Sequence, residues 1–343
     1  MQEKGNIRKM KKKRITGKFK RWICMLIIAT VTLSASGCAG KNINSSDDSG
    51  KISVVTTIFA PYDFARQIAG DRVNLQMLLK PGAEAHSYEP SPQDIINIRQ
   101  CDIFIYVGGE NDAWVDTILQ SVDTSKTTIV KLLDCINGLY EEELSEGMES
   151  DEHEEEEESS GEGPEWDEHV WTSPVNAISI CDKITEALCS EDSADTEMFR
   201  KNFDDYKKEL EELDGEFKEI VKNGKYDTVV FGDRFPLRYF VEEYGLKYYA
   251  AFPGCASQTE ASAATVAFLA DKVKEENIPV VFKIELSNGN IAETIAEDTG
   301  AKVLTFNTCH NLTKDQFESG ETYISLMRGN AEALKEALGN GTD

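Results

Sequence analysis

Between Ile52 and Leu133 short β-rich runs (Ile52 to Thr56, Val73 to Leu79, Asp102 to Val107, Thr128 to Leu133) alternate with helix-like stretches (Pro61 to Ala69, Pro92 to Ile98, Ala113 to Val122). The alternation starts again at Tyr226, with strands near Thr228 to Phe231, Lys247 to Ala251, Val280 to Ile284 and Val303 to Phe306. Helices are expected there near Arg238 to Tyr244, Thr259 to Lys274, Ile291 to Thr299 and Tyr323 to Leu338. Such a pattern packs as βα units with parallel strands. Between the two sets lie a helix from Pro174 to Leu188 and a longer one from Ala194 to Asn223. The apolar positions of the longer helix (Phe199, Phe203, Tyr206, Leu210, Leu213, Phe217, Val221) form one stripe on one face. At ~1.5 Å per residue it reaches about 45 Å, a stiff connection able to run along two lobes. The expected fold is α/β: two lobes, each with an open, mostly parallel sheet flanked by helices, joined by one long rigid helix, and the chain is long enough for two cores of ordinary size.

The start of the chain has a different character. Ten Lys or Arg and one acid precede Trp22, and an apolar run to Leu33 follows, ending in Ser-Ala-Ser-Gly-Cys38. A basic start, an apolar stretch too short to span comfortably and a small-residue cleavage region describe a secretory signal. Ala35-Ser-Gly-Cys38 resembles a bacterial lipobox, with cleavage before Cys38 and a lipid on its sulfur; an ordinary signal with an incidental cysteine is the alternative. The layout is then residues 1–37 signal, 38–50 flexible tether, 51–192 first lobe, 193–224 connecting helix and 225–343 second lobe, an extracytoplasmic protein anchored to the membrane by lipid. The whole chain carries a net charge of −26, and loss of the basic leader makes it −35. Nucleic acid is thereby excluded as a partner, whereas metal cations are attracted.

An acidic loop, residues 139–168, interrupts the first lobe. From Glu141 to Glu168 there are sixteen Asp or Glu and no Lys or Arg, including the unbroken Glu154 to Glu158. Like-charge repulsion with nothing apolar to bury predicts a disordered or mobile segment, either simply solvated or collecting cations for a site nearby.

The chain has only four histidines. His153 lies in the acidic run; the others fall at positions suited to a site assembled by folding. In open parallel sheets ligands sit outside the carboxyl ends of the strands, and His86, Asp233, Glu285 and His310 each follow an expected strand end. His169 comes after the acidic loop. Imidazole is the commonest ligand for borderline divalent metals.

At these residues the chain resembles the zinc and manganese substrate-binding lipoproteins of ABC transporters, the class with a rigid helix between its lobes. The matching pieces are Pro81-Gly82 with His86-Ser-Tyr-Glu-Pro-Ser-Pro-Gln-Asp94, Asp102-Ile-Phe-Ile-Tyr-Val-Gly108, Trp114, His169-Val-Trp171, Tyr239-Phe-Val-Glu-Glu-Tyr-Gly-Leu246, and Ala292-Glu-Thr-Ile-Ala296 with Thr299-Gly-Ala-Lys-Val303. Together they span residues 52 to 338. The resemblance implies two metal ligands from each lobe. His86 and His169 carry over directly, and His310 stands in the loop after the last strand, where the family usually has a carboxylate. The third ligand, a histidine or glutamate in the family, falls here on Arg234, which cannot coordinate a metal. Asp233, one residue away, is the substitute, and Glu285 competes with it. Three histidines and one carboxylate match tetrahedral Zn²⁺ in preference to Mn²⁺.

The resemblance thus implies a monomeric, non-enzymatic receptor that captures Zn²⁺ between its lobes and delivers it to the permease and ATPase of a metal importer. A zinc hydrolase and a surface adhesin of the same fold are the alternatives, and the hydrolase lacks an H-E-x-x-H or nucleophile-elbow motif to support it. Among the six cysteines past Cys38, Cys255 and Cys309 both follow strand ends in the second lobe. That pair is expected to be bonded if any is, and free thiols throughout are the alternative.

Overall fold

The computed structural model describes residues 50–85, 87–149, 165–256 and 260–340. Residues 1–49, with Cys38 and all but the last residue of the expected tether, and His86, His153 and Glu154 to Glu158 lie outside the described residues. The first sheet takes β1 (Ile52–Thr56), β2 (Val73–Met77), β3 (Ile103–Tyr106) and β4 (Thr128–Lys131) in the order β2-β1-β3-β4. All pairings are parallel, with Val54 opposite both Leu75 and Ile103. The crossovers are α1 (Phe59–Ala69), α2 (Pro92–Gln100) and α3 (Ala113–Ser121). Helix α2 starts where the sequence has Ser91-Pro-Gln-Asp94: the Ser91 hydroxyl accepts from Asp94 N, Asp94 accepts from Ser91 N, and Pro92 takes a position where no N–H is needed.

The second sheet repeats the plan with β5 (Thr228–Phe235), β6 (Lys247–Pro253), β7 (Val280–Ile284) and β8 (Lys302–Phe306) in the order β6-β5-β7-β8, again all parallel. Its helices include α6 (Arg238–Tyr244), α7 (Ala263–Glu276), α8 (Asn290–Thr299) and α10 (Tyr323–Ala337), with a short α9 (Lys314–Ser319) that the sequence pattern did not reveal. In both sheets the first strand of the set has neighbours on both sides, so the switch in strand order falls between β1 and β3 and between β5 and β7. Crevices open at such points.

Helix α4 (Pro174–Glu191) leads into α5 (Thr196–Asn223), the 28-residue connector. Helix α5 packs against α1 and α4 on one side and α6 and α10 on the other. Its buried residues are Phe199, Tyr206, Leu210, Leu213, Phe217 and Ile220. The stripe ends on Ile220 instead of Val221: the step from Phe217 to Ile220 continues the alternation of four- and three-residue steps that runs through Tyr206, Leu210 and Leu213. The connector does not separate two cores as expected: one apolar cluster runs from Val54 and Phe64 through Trp171 and Phe217 to Phe240, Phe282 and Tyr323, with two smaller clusters on the outer sheet faces.

The acidic loop differs from expectation at both ends. Glu141 and Trp166 form an antiparallel bridge, Glu142 N donates to Glu165 O, and Asp167 N donates to Tyr140 O. Its acids find partners on the second lobe: Glu149 Oε1 accepts from Ser262 N at 2.7 Å and from the Thr265 hydroxyl at 2.6 Å, and Glu143 pairs with Arg238. Those partners hold the chain at residues 140–149 and 165–167; residues 150–164 of the loop lie outside the described residues. Among the described residues no helix is long and apolar enough to cross a membrane.

Candidate metal centre

Two imidazoles meet where the lobes face each other. The rings of His169 and His310 lie edge to face, centroids 4.9 Å apart, and Trp171 packs on both at 5.5 and 4.8 Å. His169 is fully buried and His310 nearly so.

His169 is set by its own short segment. Asp167 Oδ1 accepts from His169 N at 2.9 Å and lies 3.0 Å from Nδ1, so Nδ1 carries the proton and Nε2 is the nitrogen that would face a cation. The Tyr239 hydroxyl donates to the Asp167 carbonyl, and a 3₁₀ turn, Val170–Thr172, fixes the chain beyond. His310 has a longer support. Its Nδ1 is 2.7 Å from Thr308 Oγ1, which is 2.6 Å from Glu285 Oε1; Thr308 N donates to Glu285 Oε2. A carboxylate only accepts, so the hydroxyl donates to Glu285 and receives the His310 Nδ1–H, again leaving Nε2 to face a cation. Two non-glycine residues in the left-handed region, Leu286 and Cys309, adjoin Glu285 and His310. Strain of that kind persists only where the surroundings hold it.

His86 lies outside the described residues, but its loop does not. Asn311, next to His310, donates to the carbonyls of Lys80 and Ala83, both at 2.8 Å, and Gly82 N donates to Leu312 O. Glu84 pairs with Arg234 at 3.0 Å. The loop that carries His86 is thus pinned to the loop that carries His310. A cleft lined by Thr57, Ala85, Val107, Glu168, Trp171 and His310 lies at the switch point of the first sheet, and a second recess shares Ala85 and His310 and adds Arg234 and Glu285.

The expectation for Asp233 requires correction in its placement. Strand β5 runs on to Phe235 through a register shift between Phe231 and Arg234, so Asp233 lies inside the strand and not after it. Its carboxylate accepts from Arg234 N at 2.9 Å and from Ile284 N at 3.3 Å, which ties β5 to β7. Glu285 does follow its strand, and both its oxygens serve Thr308. The Cys255 and Cys309 pair is not bonded either: all six cysteines of the described residues are free. Cys309 is buried in the shared core, whereas the Cys255 loop lies against Glu142, whose Oε1 accepts from Cys255 N.

Four carboxylates around this centre, Glu168, Asp112, Glu142 and Glu285, are pushed toward neutrality by burial. Burial lifts Glu168 to about 7, although His169 and Asn111, whose amide donates to Glu168 Oε1 at 2.6 Å, oppose it. Burial also lifts Asp112 to about 6, Glu142 and Glu285. For His169 burial pulls down, yet Asp167, Glu168 and Glu142 outweigh it and hold the imidazole above its ordinary range. Buried acids crowded round an imidazole favour a bound cation. The sequence reading missed Asp167, Thr308 and the Arg234–Glu84 pair. Only Asp167, two residues before His169, had a local signal.

The chain is similar to known proteins over most of its length. The family described as "Zinc-uptake complex component A periplasmic" matches residues 54–337. The high-affinity zinc uptake system protein of Bacillus subtilis (strain 168) is 32% identical over 322 residues, 93% of this chain and 98% of that protein. The zinc-binding lipoprotein AdcA of Streptococcus pneumoniae (strain ATCC BAA-255 / R6) is 31% identical over 92% of this chain, which spans 60% of that longer protein. The crystal structure of its Zn(II)-bound ZnuA-like domain superposes with a TM-score of 0.68 at 31% identity, covering 84% of this chain and 99% of that domain. With the family match running from residue 54 to 337, through both sheets and the connecting helix, this chain belongs to the zinc-uptake component A family.

Proposed function

We propose that this chain is the extracytoplasmic receptor of a zinc importer: it captures Zn²⁺ between its lobes and delivers it to a membrane permease driven by an ATPase. The observation that carries the reading is the pair His169 and His310, brought from sequence positions far apart to 4.9 Å between rings. Each is oriented through Nδ1 by a carboxylate, directly from Asp167 or through Thr308 from Glu285. That arrangement fixes the tautomer and raises ligand basicity. His86, on the loop clamped by Asn311, is the third donor of the proposal, and Asp233, one residue from the position that the family pattern gives to Arg234, is the fourth the sequence offers. Imidazole-rich sites suit zinc over manganese.

In this proposal Cys38 carries the lipid after removal of residues 1–37, residues 38–50 tether the protein to the membrane, and residues 51–192 and 225–343 form the lobes of a monomer joined by 193–224. In this reading no bond of a substrate is made or broken. The test is metal analysis of the purified protein, with competition against a zinc chelator. One zinc per chain is expected, and His86→Ala should weaken binding by several kcal/mol while leaving the apo fold intact, because the residue sits on a loop. Binding like the parent's would remove His86 from the site, and no zinc in the parent would overturn the receptor.

A further inference from the structure

The family pattern asks the second lobe for a ligand near Arg234. Neither residue there is placed to supply one: Asp233 is occupied by two backbone N–H groups, and Arg234 pairs with Glu84 and reaches the Ala256 carbonyl at 3.3 Å. The same lobe brings a different donor to His169. The turn after β6 places Gly254 so close to the imidazole that a Cβ on it would meet His169 Cε1 at 2.9 Å and Nδ1 at 3.1 Å. Only glycine permits that approach, and the next residue is Cys255. Its backbone N–H is held by Glu142 Oε1 at 3.0 Å, while Ala256 O receives Arg234. The arginine in the ligand's usual place therefore helps to hold the cysteine's loop.

A sulfur of Cys255, a ring nitrogen of His169 and a carboxylate oxygen of Glu168 all lie within 4.8 Å of one another. Among the described residues this is the trio with metal-ligand spacing. With Zn–S about 2.3 Å and Zn–N about 2.0 Å, a tetrahedral ion needs sulfur and nitrogen about 3.5 Å apart, so these two atoms have at most about 1.3 Å to close.

We propose that Cys255 is the second lobe's thiolate donor to the transported ion, bound to the same metal as His169 and taking the place the family pattern gives to the residue at 234. The proposal rests on the zinc-receptor reading above. As the S–Zn bond forms the thiol proton leaves to solvent, and no oxidation state changes. A soft thiolate selects zinc over manganese more sharply than a carboxylate would, and it offers one negative charge to the cation without adding another buried carboxylate.

Cobalt is the probe, since its visible bands report binding and a near-ultraviolet sulfur-to-cobalt charge-transfer band reports a thiolate. The full chain with Co²⁺ should show both. Cys255→Ser should keep the visible bands and lose the charge-transfer band, whereas Asp233→Asn should keep both. X-ray absorption at the zinc edge on the zinc-loaded parent needs no variant and should show a sulfur neighbour at about 2.3 Å. Visible bands without charge transfer, a zinc shell of nitrogen and oxygen alone, or a charge-transfer band that survives in Cys255→Ser would each overturn the thiolate and leave the receptor standing. Absence of all cobalt and zinc binding in the parent would take down both.

Discussion

At the residue scale the centre depends on side chains that need never touch the ion. Thr308 joins His310 Nδ1 to Glu285, and Asp167 holds His169. Thr308→Val keeps the volume and removes the hydroxyl, so His310 loses the acceptor that fixes its tautomer. Zinc affinity is expected to fall by about ten- to a hundredfold with the apo fold retained, measured by chelator competition and circular dichroism. An unchanged affinity would show that His310 needs no such support. Glu285→Gln should act through the same link, lowering affinity less than His310→Ala does. Such a graded order separates an orienting carboxylate from a ligand.

At the element scale α5 is both connector and core. Phe217 is fully buried and packs edge to face on Phe240 at 4.9 Å, so two of the largest fully buried side chains join α5 to the second lobe. Phe217→Ala should cost about 3–5 kcal/mol. Because the apolar cluster is continuous through both sheets, unfolding followed by tryptophan fluorescence and by far-ultraviolet circular dichroism should give one coincident transition, which the variant shifts as a whole. Two transitions, only one of them moved by Phe217→Ala, would mean that the lobes melt separately. The sequence stripe located this helix to within two residues at its start, since amphipathic periodicity over 28 residues leaves little choice. Strand β5 was harder. Its last four residues, Gly232 to Phe235, contain a glycine and two charges, and only the neighbouring β6 and β7 make them a strand.

At the scale of the whole molecule charge dominates. Residues 38–343 carry a net charge of −35, and among them are buried acids whose pKa values are raised, Asp112 to about 6, chiefly by burial. A carboxyl with a folded pKa above its unfolded value gives stability that is present at low pH and lost as pH rises through the folded value. The raised His169 has the same sign. The lowered carboxyls at Asp205 and Glu219 have the opposite sign but are exposed and screened. The metal-free protein is therefore expected to melt at a higher temperature at about pH 5.5 than at about pH 7.5, and Asp112→Asn should flatten that difference. A parent that is less stable at the lower pH would show that the buried acids are neutralised another way. The charge run Glu154 to Glu158 belongs to the same scale. Replacing it with glutamine should slow zinc capture at low ionic strength and leave equilibrium affinity nearly unchanged, because steering by distant charge acts on the on-rate and is screened by salt.

The alternation of β-rich and amphipathic runs determined two parallel sheets and a long helix, because each element's period is written in consecutive residues. The histidines to consider were equally legible, since only four exist and each has a loop context. What the sequence left open is which groups surround them. Asp233 and Arg234 read as a ligand and its neighbour, and packing made one a clasp between β5 and β7 and the other a tie to Glu84. Cys255 read as half of a disulfide, and the close approach of Gly254 made it a neighbour of His169. Contacts between residues fifty or more positions apart depend on how helices and loops settle against one another, and no local period encodes that. The tertiary structure alone decided which distant groups surround the histidines.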